Sequence, residues 1–213
     1  MKIGVFDSGI GGKAVALQLE ALIPDADIIS VNDHEHVPYG SRSAEEVISL
    51  TTTAIQPLLE AQCDVIVIAC NTATTIAIRH LRETYPMMKF VGIEPMVKPA
   101  AAMSKAHHIA VFATPATLSS ARYNELKETW AKNTIIDEPD CSSWAGLIEA
   151  GKKDDVPLEE TLETELQKGA DVIVLACTHY HWLKDRAEKI AGSRATILEP
   201  SDAISRRIAS IVG

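Results

Sequence analysis

Short runs rich in Val and Ile alternate along the chain with longer stretches whose apolar residues recur at helical intervals. That alternation predicts βα units wound around mainly parallel sheets, an α/β fold. The expected strands are IGVF (3–6), ADIISV (26–31), DVIVIA (64–69), KFVGI (89–93), HIAVFA (108–113), NTIID (133–137), DVIVLA (171–176) and ATIL (195–198). Ser43 and Glu46 have the spacing of a capping box, and Val47, Leu50, Ala54 and Leu58 follow as one helical stripe. Pro157 suits a first helical position, ahead of an apolar stripe of Leu158, Leu162 and Leu166.

The second half of this pattern echoes the first. IGVFDSG (3–9) aligns with IAVFATP (109–115), DIIS (27–30) with TIID (134–137), CDVIVIACNT (63–72) with ADVIVLACTH (170–179), and IEP (93–95) with LEP (198–200). The offset stays between 105 and 107 residues, half of the 213-residue chain. Buried parallel strands share a Val/Ile composition, so one match means little, but four in order predict a duplicated unit. The expected division is residues 1–96 with a returning helix at about 201–213 in one unit, and residues 97–200 in the other. A pseudo-twofold axis between them would leave a cleft.

Composition narrows the class. Apolar residues make up 46% and charged residues 23%, an ordinary globular balance. Twenty Lys and Arg face twenty-nine Asp and Glu, a net charge of −9, and the basic residues form no dense cluster. Nucleic acid and anionic membranes are therefore excluded as expected partners. No apolar run approaches the roughly 18 residues of a membrane helix, and the start of the chain passes into IGVF without a signal-peptide core. A cytoplasmic protein is expected, with Cys63, Cys70, Cys141 and Cys177 reduced. There is no CxxC pair; the nearest ligand-like spacings are CTHYH (177–181) and HEH (34–36), and no metal is expected.

The candidate chemistry lies just past the two DVIV(I/L)A strands. Cys70 precedes Asn71 and Thr72, and Cys177 precedes Thr178 and His179. Ligands of open parallel sheets bind beyond the carboxyl ends of strands, where following helices begin. A helix amino terminus is expected to lower a thiol pKa there. Two thiols meeting across a cleft could serve opposite faces of one carbon, one removing a proton while the other delivers one. Such a reaction needs no cofactor. DSGIGG, directly after the first strand, matches neither the GxGxxG nor the P-loop pattern, but it places Asp7 beside Cys70 as a possible proton partner. The second unit has Thr114 there instead, and His179 is the matching candidate. His34, His36, His80, His107 and His108 receive no role.

Taken together, DSGIGG, PYG (38–40), CNTA (70–73), EP (94–95), the T-x-x-T of Thr114 and Thr117, and ACTHY (176–180) resemble, in order and nearly end to end, the glutamate racemases. The resemblance implies a cofactor-independent racemase of two α/β domains that makes D-glutamate for peptidoglycan, with a homodimer as a possible assembly. It assigns proton abstraction from D-glutamate to Cys70 and from L-glutamate to Cys177, with Asp7, His179 and Glu149 assisting. Substrate contacts fall to Ser8, Pro38, Tyr39, Gly40, Asn71, Thr72, Thr117 and Thr178. His179 favours glutamate over aspartate, whose racemases usually carry an acidic residue at that position. The CSSWAGLIEAG segment (141–151) and the His181-Trp182 pair depart from the family pattern, and the chain is shorter than many members. A racemase of aspartate or another small acidic amino acid, a non-catalytic glutamate-binding regulator, and a zinc site of Cys177, His179 and His181 remain as alternatives.

Overall fold

The computed structural model describes residues 1–200 together with Ile204 and Ile208. The first unit runs β1 (Lys2–Asp7), α1 (Gly12–Leu22), β2 (Asp27–Asn32), α2 (Ala44–Ala54), α3 (Gln56–Glu60), β3 (Val65–Ile68), α4 (Asn71–Thr84) and β4 (Phe90–Gly92). The second runs α5 (Val97–Met103), β5 (His108–Phe112), α6 (Pro115–Leu118), α7 (Ala121–Trp130), β6 (Ile135–Asp137), α8 (Trp144–Glu149), α9 (Leu158–Lys168), β7 (Val172–Leu175), α10 (Lys184–Ala191) and β8 (Thr196–Leu198). Each expected strand forms, and all pairings are parallel.

The strands make two four-stranded sheets, ordered β2-β1-β3-β4 and β6-β5-β7-β8. VIVI of β3 and VIVL of β7 are buried throughout, as inner strands covered by helices on both faces require. The edge strands β2, β6 and β8 are partly exposed. The repeat extends to register: Phe6 pairs with Ile68 in one sheet, and the equivalent Phe112 with Leu175 in the other. That shared register brings Asp7 alongside the approach to Cys70, and Ala113, the residue before Thr114, alongside the approach to Cys177.

Two helix expectations shift. The Ser43–Glu46 capping box forms, but α2 stops at Ala54, and Leu58 belongs to α3, whose first turn holds Pro57. Proline offers no N–H to continue the ladder of the preceding helix. Pro157 is the N-cap of α9 and not its first helical residue, because its ψ of 49° is not helical. The expected closing helix lies outside the described residues, except that Ile204 and Ile208 are buried with Ile3, Val5 and Val15 on one face of the first sheet. No described helix is long and apolar enough to cross a membrane.

The CSSWAGLIEAG segment folds as a core anchor. Trp144 is buried between Phe112 and Tyr180, each with its ring centroid 5.5 Å away, and the Tyr180 hydroxyl donates to the Cys141 carbonyl at 3.1 Å. One turn and a half later, the same helix delivers Glu149 to the interface between the units. Trp144→Ala should therefore lower the unfolding free energy by about 3–5 kcal/mol, read by urea denaturation. A loss below about 1 kcal/mol, on the scale of an exposed residue, would show that the ring is not the anchor.

Candidate active site

The carboxyl ends of the two sheets face each other, and the loops after β1, β3, β5 and β7 meet there. Asp7, the last residue of β1, is fully buried. Its Oδ2 accepts from the amides of Gly9 at 3.1 Å and Gly12 at 2.9 Å, and its Oδ1 accepts from the Thr178 hydroxyl of the second unit at 3.1 Å. Burial pushes the Asp7 carboxyl above its ordinary range, while His179, the two amides and Thr178 pull against that shift. The DSGIGG loop thus curls around its own carboxylate, and its glycines let it lie flat on the second unit. A Cβ on Gly9 would stand 2.6 Å from Glu149 Oε2, and one on Gly11 would stand 2.5 Å from Thr178 Oγ1.

Cys70 is the N-cap of α4, and its sulfur accepts from the Ala73 amide at 3.5 Å. The sulfur also forms a hydrogen bond with Ser8 Oγ at 3.3 Å, while the hydrogen bonds of Asp7 run to Gly9, Gly12 and Thr178. The expected lowering of the thiol pKa does not occur here. Burial, seconded by the negative charge of Asp7, pushes Cys70 up to about 12, and the hydrogen bonds from Ser8 and Ala73 offset only part of this. The local amide is real, but desolvation of a thiolate outweighs it. Cys70 is a thiol at neutral pH.

Cys177 has a different setting. It precedes a short 3-10 turn, Thr178–Leu183, that gives its sulfur no cap bond. Its partner is His179, whose Nδ1 lies 3.8 Å from Sγ. His179 Nε2 lies 2.5 Å from Glu149 Oε2, which also accepts the Ile10 amide at 3.2 Å. Burial disfavours the imidazolium, yet Cys177, Glu149 and Asp7 together raise His179 from 6.5 to about 11. Glu149 in turn is held below its usual range: His179, Ile10 and His34 overcome the opposing effect of its burial. A buried cation therefore stands between the second thiol and a carboxylate.

Ser8, Pro38, Tyr39, Gly40, both cysteines and their Asn-Thr and Thr-His followers line one small cavity of about 20 Å³, room for on the order of one water molecule. Asn71 has both side-chain amide atoms buried without a hydrogen-bond partner among the described residues. Orphaned groups of this kind are costly unless something binds them. Beside them, the hydroxyls of Thr72, Thr114 and Thr117 close a triangle across the two units, with sides of 2.9, 3.0 and 3.3 Å. Thr117 stands behind the cavity wall and acts through this triangle. Thr114 and Ala145, which also line the cavity, were not among the expected contacts. Thr114 is visible in the sequence as the counterpart of Ser8, whereas Ala145 is brought in only by the packing of Trp144.

Tyr39 is fixed by Asp33, which accepts its hydroxyl at 2.6 Å and faces His36 Nδ1 at 2.7 Å. His36 thus supports the PYG loop, and His34 reaches Glu149 Oε1 at 3.4 Å; neither role was legible in the sequence. His108 opens β5 and meets Asp137, at the end of the strand away from the site, while His80 and His107 are exposed. His181 faces Glu199 at 3.6 Å, so it does not converge with Cys177 and His179. All four cysteines are free and buried.

The arrangement puts two thiols, a buried cation and unpaired amide groups around one small cavity, which suits proton transfer at a small polar substrate. Comparison with known proteins agrees. The family model for Asp/Glu/Hydantoin racemase matches residues 13–206. A glutamate racemase of Sulfurovum sp. (strain NBC37-1) is 39% identical over 220 residues, covering 99% of this chain and 82% of that protein. The crystal structure of glutamate racemase isoform RacE1 from Bacillus anthracis superposes with a TM-score of 0.86 at 27% identity, covering 99% of this chain and 80% of that one. Escherichia coli glutamate racemase, solved with L-glutamate and the activator UDP-MurNAc-ala, gives a TM-score of 0.85 at 28% identity, covering 98% and 81%. The chain belongs to the Asp/Glu/Hydantoin racemase family.

Proposed function

We propose that the protein racemises glutamate without a cofactor, by proton transfer between Cys70 and Cys177, and so supplies D-glutamate for peptidoglycan. The observation that carries this reading is the convergence of two cysteines from the two units on one cavity, Cys70 against Ser8 and Cys177 against a His179 that is paired with Glu149. In the L-to-D direction, Cys177 acts as the thiolate beside His179, and its Sγ takes the Cα proton to become a thiol, leaving Cys70 as the thiolate once it has donated. The electron pair of the broken C–H bond spreads onto the α-carboxylate, and Cys70 delivers its S–H proton to the opposite face. The reverse direction exchanges the two roles. His179 stabilises negative charge at Cys177 and at the developing enediolate, which a water-excluding cavity makes more effective. Glu149 orients His179, and Asp7 fixes the loop that carries Ser8 against Cys70.

Asn71, with Ser8, Thr178 and the threonine triangle, offers donors for the two substrate carboxylates, while Pro38, Tyr39 and Gly40 shape the wall. Among the lining residues described, His179 is the only cationic group, so neutral donors carry most of the anion binding. We read residues 1–96 with 201–213 and residues 97–200 as the two units that clasp the substrate. The preference for glutamate over aspartate rests on His179 and on relatives of 35–39% identity that are glutamate racemases. The chain works in the cytoplasm on this reading, and a homodimer is the assembly to expect.

The purified protein, with no additive, should interconvert the glutamate enantiomers and place solvent deuterium at Cα. Cys70→Ala and Cys177→Ala should each lower the rate by at least about 10³-fold. Native-rate racemisation by Cys177→Ala would falsify the two-thiol scheme. Aspartate turned over faster than glutamate would reassign the substrate, and tight glutamate binding without turnover would mark a regulator.

The raised His179 also sets a pH dependence. A folded-state value near 11 against an ordinary 6.5 means that the folded protein holds this proton more tightly. The resulting stability is complete below about pH 6.5 and is lost as pH rises through about 11. Urea denaturation between pH 6 and 10.5 should show the native protein losing stability relative to His179→Gln over that window. A constant difference across it would mean that His179 is buried neutral.

A further inference from the structure

Among the described residues, one polar chain runs from a reacting sulfur to the surface, and it starts at Cys177; the chain Tyr39–Asp33–His36 also leads out from the cavity wall, but no hydrogen bond joins it to Cys70. Cys177 Sγ meets His179 Nδ1, His179 Nε2 meets Glu149 Oε2, and Glu149 Oε1 meets His34 Nδ1. Side-chain exposure rises steadily along it, from 5% at His179 to 19% at Glu149 and 55% at His34. Each member can both accept and release a proton. His34 comes from the first unit and Glu149 from the second, so the chain is complete only when the units are closed on each other. The Cys70 sulfur differs: its partners, Ser8 Oγ and the Ala73 amide, are both buried.

The geometry points to His34 as the solvent-facing end of a proton relay that serves Cys177 alone. This rests on the racemase reading. Cys177 and His179 are both buried, and the cavity beside them has room for about one water, so a substrate-derived proton on Cys177 has little direct contact with bulk water. It exchanges instead through the two nitrogens of His179, the two oxygens of Glu149 and the His34 ring. One proton leaves to water and one returns. Only S–H, N–H and O–H bonds form and break, and nothing is oxidised or reduced. His34 acts through Glu149 and does not touch the reacting carbon, so it is a positioning and relay residue and not a catalytic one.

The two faces can be read separately by the deuterium that unreacted substrate gains at Cα. In D₂O, L-glutamate recovered early from the native protein should carry deuterium washed in through Cys177, and D-glutamate should carry less. In His34→Ala the L-side wash-in should fall by about tenfold, the D-side wash-in should hold, and imidazole added to the buffer should restore the L side. A purely structural defect would not be restored by a soluble proton carrier, and would not spare the other face. Equal loss on both faces, or no loss on either, overturns the relay. If the native protein racemises glutamate but returns L-glutamate free of deuterium, the relay falls and the racemase reading stands. If it neither racemises nor exchanges, both fall.

Discussion

A protonated imidazole buried between two halves of a chain is the constraint from which the rest of this site follows. Burial alone would strip His179 of its proton; three anionic or electron-rich neighbours, Cys177, Glu149 and Asp7, hold it on. Those neighbours must then be held in place, since a carboxylate left buried without partners is strongly unfavourable. Glu149 is fixed by the Ile10 amide and by a helix pinned through Trp144. Asp7 is fixed by the amides of its own loop and by Thr178. Gly9 is a glycine because any side chain would displace Glu149 or His179.

The same charge explains why two units of like sheet order and register do unlike chemistry. β1 ends on Asp7, whereas the matching position just past β5 is Ala113, ahead of Thr114. Burial, seconded by the negative charge of Asp7, keeps the proton on Cys70, while the side chain that meets Cys177 is His179. A symmetric scaffold presents two thiols to one point, and a single asymmetric pair, Asp7 and His179, gives them unlike settings. Each member lies in the same unit as the sulfur it tunes, Asp7 with Cys70 and His179 with Cys177, while the Thr178–Asp7 hydrogen bond ties the two settings together across the interface.

Much of this was legible in the residue pattern. Continuous Val/Ile runs mark strands covered on both faces, so the sheets could be read directly, and the 105–107-residue offset anticipated the matched register of Phe6–Ile68 and Phe112–Leu175. The placement of both cysteines at strand ends follows from that register. What could not be read depends on burial and on contacts between distant segments. Nothing local to Cys70 reveals that desolvation outweighs its helix terminus, or that the bonds of Asp7 run to Gly9, Gly12 and Thr178. Glu149 and His34 are 115 residues apart, and their contact exists only once both units are folded and closed. Even Trp144, which looks like a departure in sequence, is explained by the aromatic cluster that positions Glu149.

The closed cavity is far too small for a ten-heavy-atom amino acid, so the units must part to admit it, and the distribution of contacts indicates where. The four apolar clusters among the described residues each belong to one sheet face, with Ile10 alone reaching partly into the other unit's core. The bonds that bridge the units at the site are polar: Thr178 to Asp7, Thr72 to Thr114 and Thr117, and Glu149 to Ile10 and His34. Exchanging such bonds for bonds to water costs only about 0.5–1.5 kcal/mol each, whereas splitting an apolar core would cost far more. Opening therefore runs along a polar seam and leaves both sheets intact. It also parts His34 and Ile10 from Glu149 and Thr178 from Asp7, so the polar surroundings of His179 are complete only when the two units are closed on each other.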